Sequence, residues 1–285
     1  MSAPFGMSHA IIDIDKEIRK VRVPTQQPNP RFLQWDACLN VRDLGDFPTH
    51  GGAETRWGAL IRADTLCRLT PAGCKALVAH GVRTIVDLRF PEEIARLAHP
   101  FRNPVTAHNG VQYLNVPITT GRDPVRDAEV LAAFATVQSP VESYQLELDA
   151  NPKGLARIAT AVAQAPVGGV VVHCHAGKDR TGIVVALLLS LVGVADDLIA
   201  DDYALSMVGL QSELDRWLAA MAPTDPVERS RLERMQLAEP ETMLQTLAYL
   251  AERYGGAERY LRSGGMAEHD IATIRDRLCT APAVD

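Results

Sequence analysis

The sequence predicts an α/β fold, a mostly parallel sheet flanked by helices and followed by a helical C-terminal part. Three observations carry that expectation. Apolar, β-branched runs at 82–88, 111–118 and 169–173 alternate with stretches of helical character, the pattern of a parallel sheet covered on both faces. No strand-like run follows Val194, and the remaining chain keeps helical spacing. The length of 285 residues, with 47% apolar and 22% charged residues, supplies ample core.

The elements follow in order. Residues 1–30 mix Pro24, Pro28 and Pro30 with a short charged segment and read as an N-terminal arm. After the turn-rich Thr49-His50-Gly51-Gly52, residues 57–61 suggest a strand. Thr70 is an N-cap with Pro71 at the first helical position, and Gly81 is the stop. The strand at 82–88 delivers Asp87 and Arg89 at its end. Pro91-Glu92-Glu93 opens a helix that is acidic in its first turn, as the helix dipole prefers. A strand at 111–118 leads into the polar loop 119–124, and three helices are expected over 125–165. The strand 169–173 and an apolar helix through 183–194 come next. In the tail, Met243, Leu247, Leu250 and Tyr254 form a core stripe closed by Gly255. Residues 31–280 thus form one domain. Within it, 210–238 joins Trp217, Leu218 and Met221 to a charged run, the pattern of a solvated face or of a helical lid.

Composition excludes several function classes. A net charge of −6 and a pI of about 5.8 argue against general nucleic-acid or membrane-surface binding. The longest apolar run, 183–195, is too short to span a bilayer, and 1–10 lack a basic region followed by an apolar core. The five cysteines, Cys38, Cys67, Cys74, Cys174 and Cys279, are odd in number and scattered. That usage fits a reducing compartment, hence a cytoplasmic protein or one exported without such a leader. The sequence leaves the oligomeric state open.

The chemistry concentrates in Val170-Val171-Val172-His173-Cys174-His175-Ala176-Gly177-Lys178-Asp179-Arg180-Thr181-Gly182. A strand, a tight loop and a helix start in that order build an anion cradle, with backbone N–H groups pointing inward and the positive end of the helix dipole behind them. Cys174 lies at its floor, where donors that hold a phosphate also favour a thiolate. Arg180 closes the ring with a planar fork that grips two oxygens at once. His175, Ala176, Gly177, Lys178 and Thr181 complete the expected oxyanion contacts, and the Thr181 hydroxyl can donate to the sulfur. Metal ligation by His173-Cys174-His175 is excluded because neighbours on a strand face opposite ways. A nucleotide P-loop is excluded because Asp179 follows Gly177-Lys178 and Val172 stands where Gly is required. No metal or other cofactor is expected.

His-Cys-x-x-Gly-Lys-x-Arg-Thr-Gly resembles the signature of the cysteine-dependent phosphatases: protein tyrosine, dual-specificity and phosphoinositide phosphatases. The Lys178-Asp179-Arg180 version is similar to a bacterial branch typified by the mycobacterial tyrosine phosphatase B, which acts on phosphoproteins and phosphoinositides. Asn40-Val41-Arg42-Asp43-Leu44-Gly45, Asp87-Leu88-Arg89, Asp202-Tyr203-Ala204-Leu205-Ser206 and the helical tail fit the same branch over about 31–280. Asp46 departs from it, standing where the branch usually has a second Gly.

The resemblance implies a phosphomonoester hydrolase with a phosphocysteine intermediate, acting on phosphotyrosine proteins, with phosphoserine and phosphothreonine as further targets, and on phosphoinositides. Three carboxylates compete to protonate the leaving oxygen. Asp179 lies in the loop and is the residue the branch is thought to use. Asp123 sits in the 119–124 loop, where other tyrosine phosphatases carry their acid. Asp87 ends a strand and reads rather as a salt-bridge partner of Lys178 or Arg180. Lys178 reads as a rim cation for an additional phosphate, against a solvated lysine, and His175 as an addition to the positive field. The alternatives are a persulfide-forming sulfurtransferase, which also sets a Cys in such a loop, and a phosphate-binding module without catalysis.

Overall fold

A computed structural model describes residues 29–97, 99–102, 110–119, 129, 132–133, 136–221 and 225–281. The chain divides into the units Met1–Pro30 and Arg31–Asp285, and the second is described below. The expected arm at 1–30 lies, but for Asn29 and Pro30, outside the described residues.

The fold is α/β, with a five-stranded, mostly parallel sheet. Its strands are β1 (Arg42–Asp43), β2 (Leu60–Ala63), β3 (Val82–Asp87), β4 (Gln112–Asn115) and β5 (Gly169–His173). The spatial order is β1-β2-β5-β3-β4, and only the β1–β2 pairing is antiparallel. β5 lies at the centre: Val171 pairs with Ile61 on one side and Ile85 on the other, and all three are fully buried. A strand covered on both faces needs no polar alternation, and Val170, Val171 and Val172 supply the β-branched fit.

Two apolar layers follow. One face of the sheet packs Ile61, Ile85 and Val171 against Leu77, Trp35 and Phe101. The other packs Leu60, Val86, Val170 and Val172 against helices. Helix α1 (Pro71–Ala79) begins where expected, with the Thr70 hydroxyl accepting from Gly73 N–H at 3.2 Å. Helix α2 (Pro91–Arg96) follows β3. Before β5 come α3 (Pro140–Ala150) and α4 (Pro152–Ala163); the rest of the three-helix stretch expected over 125–165 falls largely outside the described residues. After β5, α5 (Asp179–Leu191) is buried nearly throughout, then come α6 (Asp196–Ala204), α7 (Ser206–Met221) and α8 (Pro226–Gln236).

The tail is helical as expected, in α9 (Pro240–Tyr254), α10 (Ala257–Ser263) and α11 (Glu268–Leu278). Gly255 closes α9 with φ +75°, the left-handed cap. Asp46, where the resembling branch has Gly, also adopts a left-handed conformation, φ +66°, which Asp tolerates better than most residues. No helix among the described residues is long and apolar enough to cross a membrane. The parallel strands β2, β5 and β3 all end at one edge, with Ala63, His173 and Asp87 in register, and the loops that leave them meet there.

Candidate active site

Cys174 follows the last residue of β5 and is buried at the floor of the loop 175–178. The carbonyls of that loop are each held from outside. Thr65 N–H donates to His175 O at 2.8 Å, Asn40 Nδ2 donates to Ala176 O at 3.0 Å, and Asn40 and Arg62 both donate to Gly177 O, at 3.2 and 2.8 Å. A trans peptide is planar, so a carbonyl drawn outward turns the next N–H inward. The amides of Ala176, Gly177 and Lys178 therefore face into the loop, as an anion cradle requires. Gly177 permits the turn: its φ is +68°, and a Cβ there would come within 2.4 Å of Ala63 O.

Asn40 and Arg62 are themselves fixed by a buried ionic frame. Arg42 donates to Asn40 Oδ1 at 2.5 Å and to Asp202 Oδ1 at 2.9 Å, and Arg62 meets Asp202 Oδ2 at 2.6 Å. Ser206 Oγ adds a partner to both guanidinium groups. Burial alone would raise the Asp202 carboxyl, but the two arginines outweigh it and hold it at about 2. The motifs at 40–45 and 202–206 thus meet behind the loop. Arg62 carried no motif, and only its position in an otherwise apolar strand marks it in the sequence.

Arg180 lies in the first turn of α5 and pairs bidentately with Glu93, Nη1 to Oε2 at 2.6 Å and Nη2 to Oε1 at 2.9 Å. Its guanidinium also lies 5.1 Å from the Phe90 ring centroid. Burial opposes both charges, yet the pair keeps the Glu93 carboxyl below its usual range and raises the guanidinium further above neutrality. In the sequence Glu93 read only as an acid suited to a helix start. Burial lowers the His175 imidazole, and Arg68 and Arg180 lower it further against the opposing Glu93. These effects disfavour the charged imidazole that the expectation requires.

Two other expected roles change. Lys178 is not a rim cation: only 3% exposed, its Nζ donates to Gln236 O at 2.7 Å, at the C-terminal end of α8. Carbonyls left open at a helix end attract a cation, and the burial of Lys178 follows. Asp87 bridges neither Lys178 nor Arg180. It takes Arg89 through both carboxylate oxygens and the Tyr113 hydroxyl at 2.8 Å. Burial would raise Asp87, but the bonds and charge of Arg89 outweigh it and hold the carboxyl at about 2, so it stays ionised.

Asp179 keeps 48% of its side chain exposed and accepts from the Tyr144 hydroxyl at 2.6 Å, with Lys178 Nζ at 3.4 Å. Asp123 lies outside the described residues. The Thr181 hydroxyl is buried and has no hydrogen-bond partner among the described residues, so its proton is available to an acceptor in the loop.

Asp87, His99 and His173 bring potential ligand atoms within 4.8 Å of one another, a cluster that residue spacing did not show. The two rings are held by different backbone partners. His173 Nδ1–H donates to Cys174 O at 3.0 Å, which leaves Nε2 as a lone pair. His99 Nδ1 accepts from Phe101 N–H at 3.2 Å, which leaves the proton on Nε2. Burial pushes His99 to about 3 and lowers His173, so both rings favour the neutral form, and their Nε2 atoms have no hydrogen-bond partner among the described residues. Asp87 is already satisfied by Arg89.

An inward-facing ring of amides, a buried cysteine and a bidentate-capable arginine define the site of a phosphatase. The tyrosine phosphatase family model matches residues 33–280, and the chain belongs to that family. It is 30% identical over 227 residues to a tyrosine-protein phosphatase of Nostoc commune, across 77% of this chain and 74% of the relative. It is 29% identical over 276 residues to the triple specificity protein phosphatase PtpB of Mycobacterium tuberculosis, across 83% and 95%.

Proposed function

We propose that this phosphatase works through a phosphocysteine intermediate on phosphotyrosine proteins and on phosphoinositides. The observation that carries the reading is the outward anchoring of three successive carbonyls, at 175, 176 and 177, which leaves three preorganised amides for the equatorial oxygens. Cys174 Sγ attacks phosphorus in line and the ester oxygen leaves with a proton from Asp179. Water then cleaves the S–P bond, releasing phosphate and restoring the thiolate. The Thr181 hydroxyl donates to that sulfur. Glu93 occupies the Nη1–Nη2 edge of Arg180, and the Nε–Nη2 edge remains for two phosphoryl oxygens. Asp179 is half exposed at the loop mouth, where a leaving group exits, and this favours it over Asp87 as acid. The second substrate class rests on the resemblance of the Lys178-Asp179-Arg180 version to its bacterial branch, and no longer on a phosphate contact of Lys178.

We further propose that 31–280 acts as one catalytic domain with 210–238 as its lid. Supporting this, α8 has no buried residue of its own, and Lys178 ties its last carbonyl to the loop. The test of the whole reading is a panel of phosphotyrosine peptides and phosphoinositides, assayed with the wild type and with Cys174→Ser. The substitution should abolish turnover of both classes and leave binding of tungstate intact. More than a trace of residual turnover would sink the phosphocysteine step, and turnover of one class only would remove the other from the assignment.

A further inference from the structure

A hydrogen-bonded chain of two buried tyrosines ends on the Asp179 carboxylate. Tyr144, on α3, is 3% exposed, and its hydroxyl lies 2.6 Å from Asp179 Oδ1 and 2.7 Å from the Tyr203 hydroxyl. Tyr203, on α6, is 1% exposed, and the two rings meet edge to face with centroids 6.0 Å apart. Gly182, one turn after Asp179, makes room for it: a Cβ there would stand 3.1 Å from Tyr203 Cδ2. Three elements distant in sequence therefore converge on one carboxylate oxygen.

The direction of the chain follows from the donor count. A carboxylate only accepts, so Tyr144 spends its single proton on Asp179 Oδ1. Tyr144 then accepts from Tyr203, which must donate. Burial raises both phenols above their ordinary value, and the Asp179 charge raises them further, so both keep their protons at any working pH. Among the described residues none donates to Oδ2, on a side chain nearly half exposed at the loop mouth. One oxygen is thus anchored and the other is available to carry a transferable proton.

We propose that Tyr144 and Tyr203 are positioning residues that fix Asp179 through Oδ1 and reserve Oδ2 for proton delivery to the leaving oxygen. The proposal rests on the assignment of Asp179 as the acid. Neither tyrosine touches substrate. The arrangement also gives α3 its contribution to the site, a hydroxyl bonded to Asp179.

The test compares Tyr144→Phe, Tyr203→Phe and Asp179→Asn on a phosphotyrosine peptide, a poor leaving group, and on an activated aryl phosphate. Tyr144→Phe should slow kcat on the peptide by roughly 10-fold, the worth of one charge-assisted hydrogen bond in orientation, with the activated ester changed less than about 2-fold. KM for the peptide should stay within about 2-fold, since neither tyrosine touches substrate. Tyr203→Phe, which only weakens the anchor, should lower kcat on the peptide selectively but by less. In an Asp179→Asn background, Tyr144→Phe should add no further leaving-group selectivity.

No loss, or an equal loss on both esters, in Tyr144→Phe while Asp179→Asn is selective would overturn the relay and leave the acid in place. An unselective Asp179→Asn would overturn the acid and the relay with it. Should Tyr144→Phe not fold, Tyr203→Phe carries the test alone: a selective loss on the peptide supports the relay, and an unselective or absent one overturns it.

Discussion

At the scale of single residues, the choice between Asp179 and Asp123 is a choice about who carries a proton. An acid matters most when the leaving group is a poor one, such as a tyrosyl or inositol oxygen. Asp179→Asn should therefore slow phosphotyrosine hydrolysis by roughly 100-fold or more and an activated aryl phosphate far less, and it should flatten the basic limb of the pH–rate profile. Asp123→Asn should change both substrates about equally. Selective loss for Asp123→Asn with an unselective Asp179→Asn would reverse the assignment. Metal dependence is a second question at this scale, because Asp87, His99 and His173 come together. Asp87 is already bonded to Arg89 and Tyr113, so activity should survive EDTA. Loss restored by a divalent ion would assign that cluster a metal after all.

At the scale of elements, what the sequence made legible was whatever is local. The strand Gly169–His173, the Thr70–Pro71 helix start and the Gly255 cap are short-range patterns, and the structure places each where the pattern put it. Contacts across distant stretches were not legible in the same way. Glu93 on Arg180, Tyr144 on Asp179 and Arg62 on Gly177 O span 87, 35 and 115 positions, and no residue spacing predicts such pairs. Lys178 shows the cost of reading a residue by its type. A lysine in an anion loop suggests a cation for phosphate, yet the open carbonyls of α8 compete for it and hold it. If that tie secures the lid, Lys178→Met should speed amide exchange over 206–236 by about 5-fold or more while the sheet exchanges as before. Unchanged exchange in both α7 and α8 would mean that the tie holds only the loop.

At the scale of the whole molecule, a buried and a half-buried carboxyl give stability its pH dependence, and they act in opposite directions. Asp202, held at about 2, stabilises the fold above the ordinary aspartate range, and that contribution disappears only as the pH falls through about 2. Glu147, one turn after Tyr144 on α3, behaves the other way. Burial raises it from 4.5 to about 7, against the lowering effects of Asn151, whose Nδ2 donates to Oε1 at 2.8 Å, and of Arg180. Below the unfolded value both states hold the proton and the fold has its full stability. Between that value and about 7 the unfolded chain releases the proton while the folded one keeps it, so stability declines as the pH rises. The loss by pH 8 is on the order of 1–3 kcal/mol, which in a chain of this size is a few degrees of Tm. Glu147→Gln keeps an acceptor for Asn151 and removes the titration. It should leave Tm at pH 5 nearly unchanged and raise it at pH 8, flattening the profile between. An equal shift at both pH values would show that Glu147 acts by packing alone, and the cause of any alkaline decline would then lie elsewhere in the fold.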